Sequence, residues 1–252
     1  MFQHLGATEV HLWYVLTGRN PEPRMLTLLR SVLTPDERDA CDRFLFDKDR
    51  HQYLFAHAML RGVLSRYAPV RCADWRFAAL EYGKPRVALP LDPPLHFNLT
   101  HTEGLVACVV AREPAVGVDA EHLGRGGSLM EIARHSFAPA EVALLEGAPP
   151  DARREIFFDI WTLKEAYVKA RGMGLSLPLR DFAFGLAAGR PPRVEFAPSM
   201  KDSPERWQFE TFRPAPSHRI AVAVRRADGR DRAITARRMT DEELLASIRD
   251  VG

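Results

Sequence analysis

The chain has 252 residues, enough for one large domain or two small ones, each with a real core. A hydrophobic fraction of 46%, a charged fraction of 27% and a formal net charge of +2 are ordinary for a globular protein. They exclude a nucleic-acid coat and a polybasic membrane binder, while leaving room for a local basic pocket.

From the N-terminus, Met1-Phe-Gln-His-Leu-Gly6 lacks the basic and apolar regions of a signal peptide, and no apolar run approaches the roughly 20 residues of a membrane span. Cys41, Cys72 and Cys108 are far apart, show no metal spacing or disulfide framework, and read as reduced thiols. A cytoplasmic protein is expected. Residues 9–16 read as a first strand, residues 18–24 as a turn and residues 25–32 as a short helix. Thr34-Pro35-Asp36-Glu37 is a helix start: an N-cap threonine, proline at the first position and acids in the first turn. A helical run over residues 47–67 puts Tyr53, Ala56, Leu60, Val63 and Leu64 on its inner side. Residues 75–80 form a strand, Glu81-Tyr-Gly-Lys-Pro85 a turn and residues 95–99 another strand. Residues 105–111 are nearly all apolar, which predicts a central strand.

After Pro114 the order of elements returns. The strand at 116–121 echoes that at 10–15, and Ala138-Pro139-Ala140-Glu141 echoes Thr34-Pro35-Asp36-Glu37. The helix carrying Glu165 falls where Arg61 fell in the first half. A repeat of this length predicts a duplicated domain rather than a solenoid. The expected fold is α+β: a pseudo-dimer of two similar halves, residues 1–112 and 113–252, each a small mainly antiparallel sheet packed on a long helix. Such halves would place the active site in a cleft near residues 112–115, flanked by His101, Asp119 and Glu121. Toward the C-terminus, residues 181–184, 193–196, 207–212 and 220–224 read as strands. The arginine-rich stretch 225–238 reads as a solvated basic face or as a docking surface for an acidic partner, followed by a short acidic helix from Asp241.

The chemistry concentrates in two stretches. In residues 154–172, Ile156, Ile160, Leu163 and Tyr167 form an apolar stripe, Gly172 is a stop signal, and Trp161, Glu165 and Lys169 line one neighbouring row with Lys164 beside it. Taken alone, that row reads first as an i,i+4 Glu–Lys pair on a solvated face. In Val116-Gly-Val-Asp-Ala-Glu121, Asp119 and Glu121 leave the same face of a strand, where two carboxylates repel unless a cation sits between them. With Glu165 they make three oxygen donors for a hard divalent ion such as Mg²⁺; an exposed strand end is the plain alternative. Signatures of dinucleotide, P-loop, nucleophile-elbow and zinc-protease sites are missing.

What remains is an ordered set: Tyr-Gly-Lys-Pro85, Phe-Asn-Leu-Thr-His-Thr102, Val-Gly-Val-Asp-Ala-Glu121, Trp-Thr-Leu-Lys-Glu-Ala-Tyr-Val-Lys169 and Gly-Met-Gly-Leu-Ser-Leu-Pro178. This set resembles the 4′-phosphopantetheinyl transferases of the longer, surfactin-synthetase-activating type, over most of the chain. The resemblance implies transfer of the phosphopantetheine arm of coenzyme A to a serine of an apo carrier protein, with release of adenosine 3′,5′-bisphosphate and with Mg²⁺ or Mn²⁺ as cofactor. It implies Asp119, Glu121 and Glu165 as metal ligands, with Asp119 also in the catalytic set. Glu165 would be the general base, and Lys169 the cation on the departing phosphate. It further implies that Lys164, Thr100, His101 and Lys84 contact the coenzyme A nucleotide and diphosphate, with Lys48 and Arg50 as candidates for the 3′-phosphate. Some relatives carry lysines after a helix start where this chain has Glu37 and Ala40, and isoleucine is frequent where it has Ala120. A monomer serving a fatty-acid, polyketide, nonribosomal-peptide or aminoadipate-pathway carrier is expected, selected by the loop at residues 123–137 and the surface after Gly172. No nucleic acid or membrane is expected as a partner. The rival readings are a Mg²⁺-dependent diphosphate phosphoesterase and a non-catalytic carrier-protein binder.

Overall fold

The computed structural model describes residues 2–18, 21–187 and 189–249. Arg19 and Asn20, in the expected turn after the first strand, lie outside the described residues. In chain order the elements are β1 (Glu9–Leu16), α1 (Pro23–Ser31), α2 (Pro35–Asp42), α3 (Asp47–Leu64), β2 (Phe77–Ala79), β3 (Pro85–Val87), β4 (His96–Thr102), β5 (Leu105–Ala111) and β6 (Val116–His122). There follow α4 (Leu129–Ser136), α5 (Pro139–Gly147), α6 (Pro150–Arg171), β7 (Phe182–Gly185), β8 (Arg193–Phe196), β9 (Trp207–Phe212), β10 (His218–Arg225), β11 (Ala233–Arg238) and α7 (Asp241–Arg249). The class is α+β, and the chain divides into two compact units.

Unit 1 comprises Met1–Leu80, Pro85–Pro114 and Ala233–Gly252. Its sheet has the order β11-β1-β5-β4. β5 lies between two antiparallel neighbours and is buried along its whole length, as its unbroken apolar run demands. Helix α3 covers this sheet with Ala56, Leu60, Val63 and Leu64, while Tyr53 stays half-buried. The helix start at Thr34 is a reciprocal capping box: the Glu37 amide donates to Thr34 Oγ1 at 3.3 Å, and the Thr34 amide donates to Glu37 Oε2 at 2.8 Å.

Unit 2 comprises Glu81–Lys84 and Ala115–Arg232. Its sheet has the order β6-β10-β9, all antiparallel, and α6 packs across β6 and β10. The expected apolar stripe faces inward, with Ile160, Leu163 and Tyr167 fully buried. Gly172 ends α6 in the left-handed conformation at φ 65°, which costs a glycine nothing. The two units run through the same order of elements. β1, three helices, a short hairpin, β4 and β5 in the first match β6, three helices, a short hairpin, β9 and β10 in the second. The returning strand has the same place in both sheets: β5 beside β1, and β10 beside β6.

Three features differ from the sequence expectation. The arginine-rich stretch contains a strand: β11 pairs in parallel with β1, from Glu9 opposite Ala233 to Tyr14 opposite Arg238. The chain therefore returns at its end to the first unit, and residues 81–84 group with the second, so the units do not follow the expected division at 112/113. The segment 123–137, expected as a loop, carries the helix α4.

Candidate active site

The site is set by a close approach of β6 to α6. A Cβ atom at Gly117 would lie 2.2 Å from the Ala166 carbonyl oxygen and 2.4 Å from the Ala170 amide nitrogen. Only glycine fits there, and α6 answers with alanines at the contact. Residues two apart leave a strand on the same side, so Asp119 and Glu121 follow Gly117 toward α6. On the helix, Trp161, Glu165 and Lys169 are half-buried, spaced one turn apart along one row.

The two elements meet in a charged cluster. Lys169 Nζ donates to Asp119 Oδ1 at 2.6 Å, and Arg125 Nη1 donates to Glu121 Oε1 at 2.6 Å. Asp119 and Glu121 are both buried, whereas Arg125 is exposed. Burial, then the charge of Asp119, pushes the Glu121 carboxyl up to about 7, against the pull of Arg125 and Lys169. Burial, then Asp119, raises the Glu165 carboxyl as well, and Lys169 and Arg125 oppose the rise. Three carboxylates and two cations thus share one electrostatic environment. The sequence reading grouped Asp119, Glu121, Glu165 and Lys169; Arg125 is an addition. Its signal was a basic residue four positions after Glu121, in a segment otherwise read as a loop.

Lys164 stands elsewhere. It is completely buried, with Nζ 2.8 Å from Glu141 Oε2 and donating to the carbonyls of Leu179 and Phe182. Its ammonium also lies 4.3 Å from the centre of the Phe182 ring. Neighbouring residues leave a helix about 100° apart, and Lys164 falls on the apolar side of α6 rather than on the row of Glu165 and Lys169. Contact with coenzyme A phosphates is therefore corrected to a structural role: Lys164 ties α6 to α5 and to the start of β7. Glu141 completes the tie by accepting from the amides of Ala138 and Phe184. The first unit carries the same device. Glu37, its capping glutamate, accepts from Arg61 Nη2 at 2.7 Å, and Arg61 is 1% exposed.

Of the other expected contacts, Lys84 Nζ donates to the carbonyls of Val116 and Ala170, at 2.9 and 3.2 Å within unit 2. Thr100 is buried and His101 exposed, on β4 of unit 1. Lys48 and Arg50 occupy the first turn of α3, where Arg50 Nη2 donates to Asp47 Oδ1 at 2.5 Å and Lys48 is exposed. Among the described residues no group of three or more His, Cys, Asp or Glu side chains converges closely enough to hold a metal. Two of the carboxylate oxygens concerned are instead taken by Lys169 and Arg125. No helix among the described residues is long and apolar enough to cross a membrane.

Comparison with known proteins bears directly on this cluster. Residues 115–224, which contain all of it, match the family model of the 4′-phosphopantetheinyl transferase superfamily. Residues 19–114 match the model of the 4′-phosphopantetheinyl transferase N-terminal region. The chain is 31% identical to the 4′-phosphopantetheinyl transferase Sfp of Bacillus subtilis over 79% of its own length and 84% of that protein. It is 32% identical to the 4′-phosphopantetheinyl transferase HetI of Nostoc over 87% of its length and 89% of that protein. It is 25% identical to the L-aminoadipate-semialdehyde dehydrogenase-phosphopantetheinyl transferase of Pongo abelii, over 81% of its length and 70% of that protein. With both units matched and likeness sustained over most of its length, the chain belongs to the 4′-phosphopantetheinyl transferase superfamily.

Proposed function

We propose that this protein transfers the 4′-phosphopantetheine moiety of coenzyme A to a serine hydroxyl of an apo acyl or peptidyl carrier protein. The observation that carries the proposal is the cluster itself: a raised Glu165 carboxyl one helical turn from the Lys169–Asp119 pair, within the segment matched to the family. In the reaction the serine oxygen bonds to the phosphorus that bears the pantetheine arm. The bond from that phosphorus to the bridging diphosphate oxygen breaks, and adenosine 3′,5′-bisphosphate leaves. Glu165 takes the serine proton. A carboxylate whose proton affinity is raised by burial is a stronger base at neutral pH than an ordinary one. Lys169 is held in place by Asp119 and neutralises charge gathering on the phosphate oxygens. Thr100, His101, Lys84, Lys48 and Arg50 are the proposed contacts to the nucleotide end.

A divalent cation, Mg²⁺ or Mn²⁺, fits the chemistry of the donor set. Asp119, Glu121 and Glu165 offer only oxygen, which suits a hard ion. Burial raises the Glu121 and Glu165 carboxyls, the charge of Asp119 raises them further, and that second contribution is what such an ion relieves. Bound there, it would supply Lewis-acid stabilisation of the diphosphate. We further propose that the enzyme acts as a monomer in the cytoplasm, with segment 123–137 and the surface after Gly172 selecting the carrier.

The test is the product. Incubation with coenzyme A, Mg²⁺ and an apo carrier should raise the carrier mass by one phosphopantetheinyl group and release an equal amount of adenosine 3′,5′-bisphosphate. Release of that nucleotide with no gain in carrier mass would replace transfer by hydrolysis. Co-elution with an unmodified carrier would replace it by binding alone.

A further inference from the structure

Outside the active-site cluster, unit 2 contains a cavity of about 240 Å³ beyond the C-terminal end of α6. Trp207, itself buried, forms part of its wall, and Arg171, Lys201, Arg206 and Arg225 bring four cations to it. One carboxylate, Asp202, accompanies them, and its oxygens are already engaged. Asp202 Oδ2 accepts from Tyr167 Oη at 2.8 Å, Arg171 Nη1 at 2.7 Å and Trp207 Nε1 at 2.9 Å. Its Oδ1 accepts from the Ser203 amide at 2.9 Å. Asp202 therefore compensates Arg171 and nothing else. The side chains of Lys201, Arg206 and Arg225 have no ion-pair partner among the described residues. Like charges gathered around one small space repel, and an anion in that space removes the repulsion.

The backbone beneath the three cations is fixed. Arg225 closes β10, with its amide donating to the Ala115 carbonyl at 3.0 Å. The Arg206 carbonyl accepts from the Arg226 amide at 2.7 Å. Lys201 holds the left-handed conformation at φ 49°, uncommon for a residue with a side chain. These anchors fix the backbone from which the three side chains reach the cavity, so binding has only the side chains to order.

We propose that this cavity is a binding site for a multivalent oxyanion of the phosphate class. Guanidinium groups recognise such anions through paired, charge-assisted hydrogen bonds. The volume lies below the roughly 300–1,000 Å³ of sites for drug-sized ligands, so it suits a free oxyanion or the phosphate end of a small ester rather than a nucleotide. It also gives a use to Arg225, at the start of the arginine-rich stretch that the transfer reaction leaves unassigned.

Isothermal titration of the full chain, at fixed ionic strength set with chloride, reads this directly. Orthophosphate should bind saturably at a site that Arg206→Gln/Arg225→Gln weakens by at least about tenfold, the scale of losing charged hydrogen bonds. Lys169→Ala should keep that binding, because Lys169 serves the active site. Tighter binding of glycerol 3-phosphate than of orthophosphate would identify an ester as the source of the anion, and equal binding the free oxyanion. Both arginines are exposed, so the double variant removes no buried contact, and Arg225→Gln alone serves if that variant unfolds. No saturable binding above the chloride background, equal binding by the arginine variants, or loss in Lys169→Ala alone would overturn the proposal. Transfer activity, measured separately, does not enter this outcome.

Discussion

At the scale of single residues, the acids and the lysine of the proposed site were legible because their spacing fixes their direction. Residues two apart on a strand and four apart on a helix must share a face, whatever the rest of the chain does. Lys164 shows the limit of that logic. Sequence places it next to Glu165, yet the helical rotation of one residue turns it into the core, where it meets Glu141. Its partner lies 23 positions away in sequence, beyond any local rule. Lys164→Ala should therefore cost about 3–5 kcal/mol of stability, by leaving Glu141 buried without its cation. Chemical denaturation reads this, and a variant as stable as the wild type would contradict the structural role. Glu37 yields a pH prediction. Burial alone would raise its carboxyl, but His57, the Thr34 amide and Arg61 outweigh burial and hold it at about 2 against an ordinary 4.5. A depressed carboxyl contributes stability that is complete above about 4.5 and lost as pH falls toward about 2. The urea midpoint should fall across that window, and the Glu37→Gln variant should show a shallower fall. Parallel curves for the two proteins would remove Glu37 from the account.

At the scale of elements, strands and helices were read closely wherever an apolar period or a cap marked them. The capped start at Thr34, the buried β5 and the glycine stop after α6 are examples. β11 escaped because its side chains are mostly exposed, so no alternation of apolar and polar residues marks it; it is held by backbone pairing to β1. Gly117 carried a sequence signal that went unused: a glycine inside a strand marks a close approach of another backbone. Gly117→Ala would force β6 away from α6, since its new Cβ would meet backbone atoms of Ala166 and Ala170 that cannot yield separately. A loss of about 1–3 kcal/mol or more is expected, together with reduced transfer, as Asp119 is drawn from Lys169. Thermal denaturation and turnover of the same variant check both. An unchanged melting temperature would mean that the sheet and helix have room to spare.

At the scale of the whole molecule, the two halves share an order of elements but not the acids of the proposed site. The first half repeats the second element by element, down to a buried glutamate–cation tie on its long helix. It does not repeat the acids. By the spacing of the two strands, Trp13 and Val15 stand where the second half has Asp119 and Glu121, and both are buried in the core of unit 1. The expectation of two related halves rested on the echoed strands, the paired helix starts and the matching place of the long helix. The return of the C-terminal strand to the first sheet could not be foreseen, because strand pairing over such a separation leaves no local trace. Met239, Leu244 and Ile248 join that core, so deletion from Ala233 onward should destabilise unit 1. A truncated chain with an unaltered unfolding transition would contradict this. The central claim is that Glu165 and Lys169, beside Asp119, perform the transfer. It is tested most directly by initial rates of holo-carrier formation for the wild type, Glu165→Gln and Lys169→Ala, each with an intact fold by circular dichroism. The account predicts that each substitution lowers the rate by about 10²-fold or more; variants that modify the carrier as fast as the wild type would contradict it.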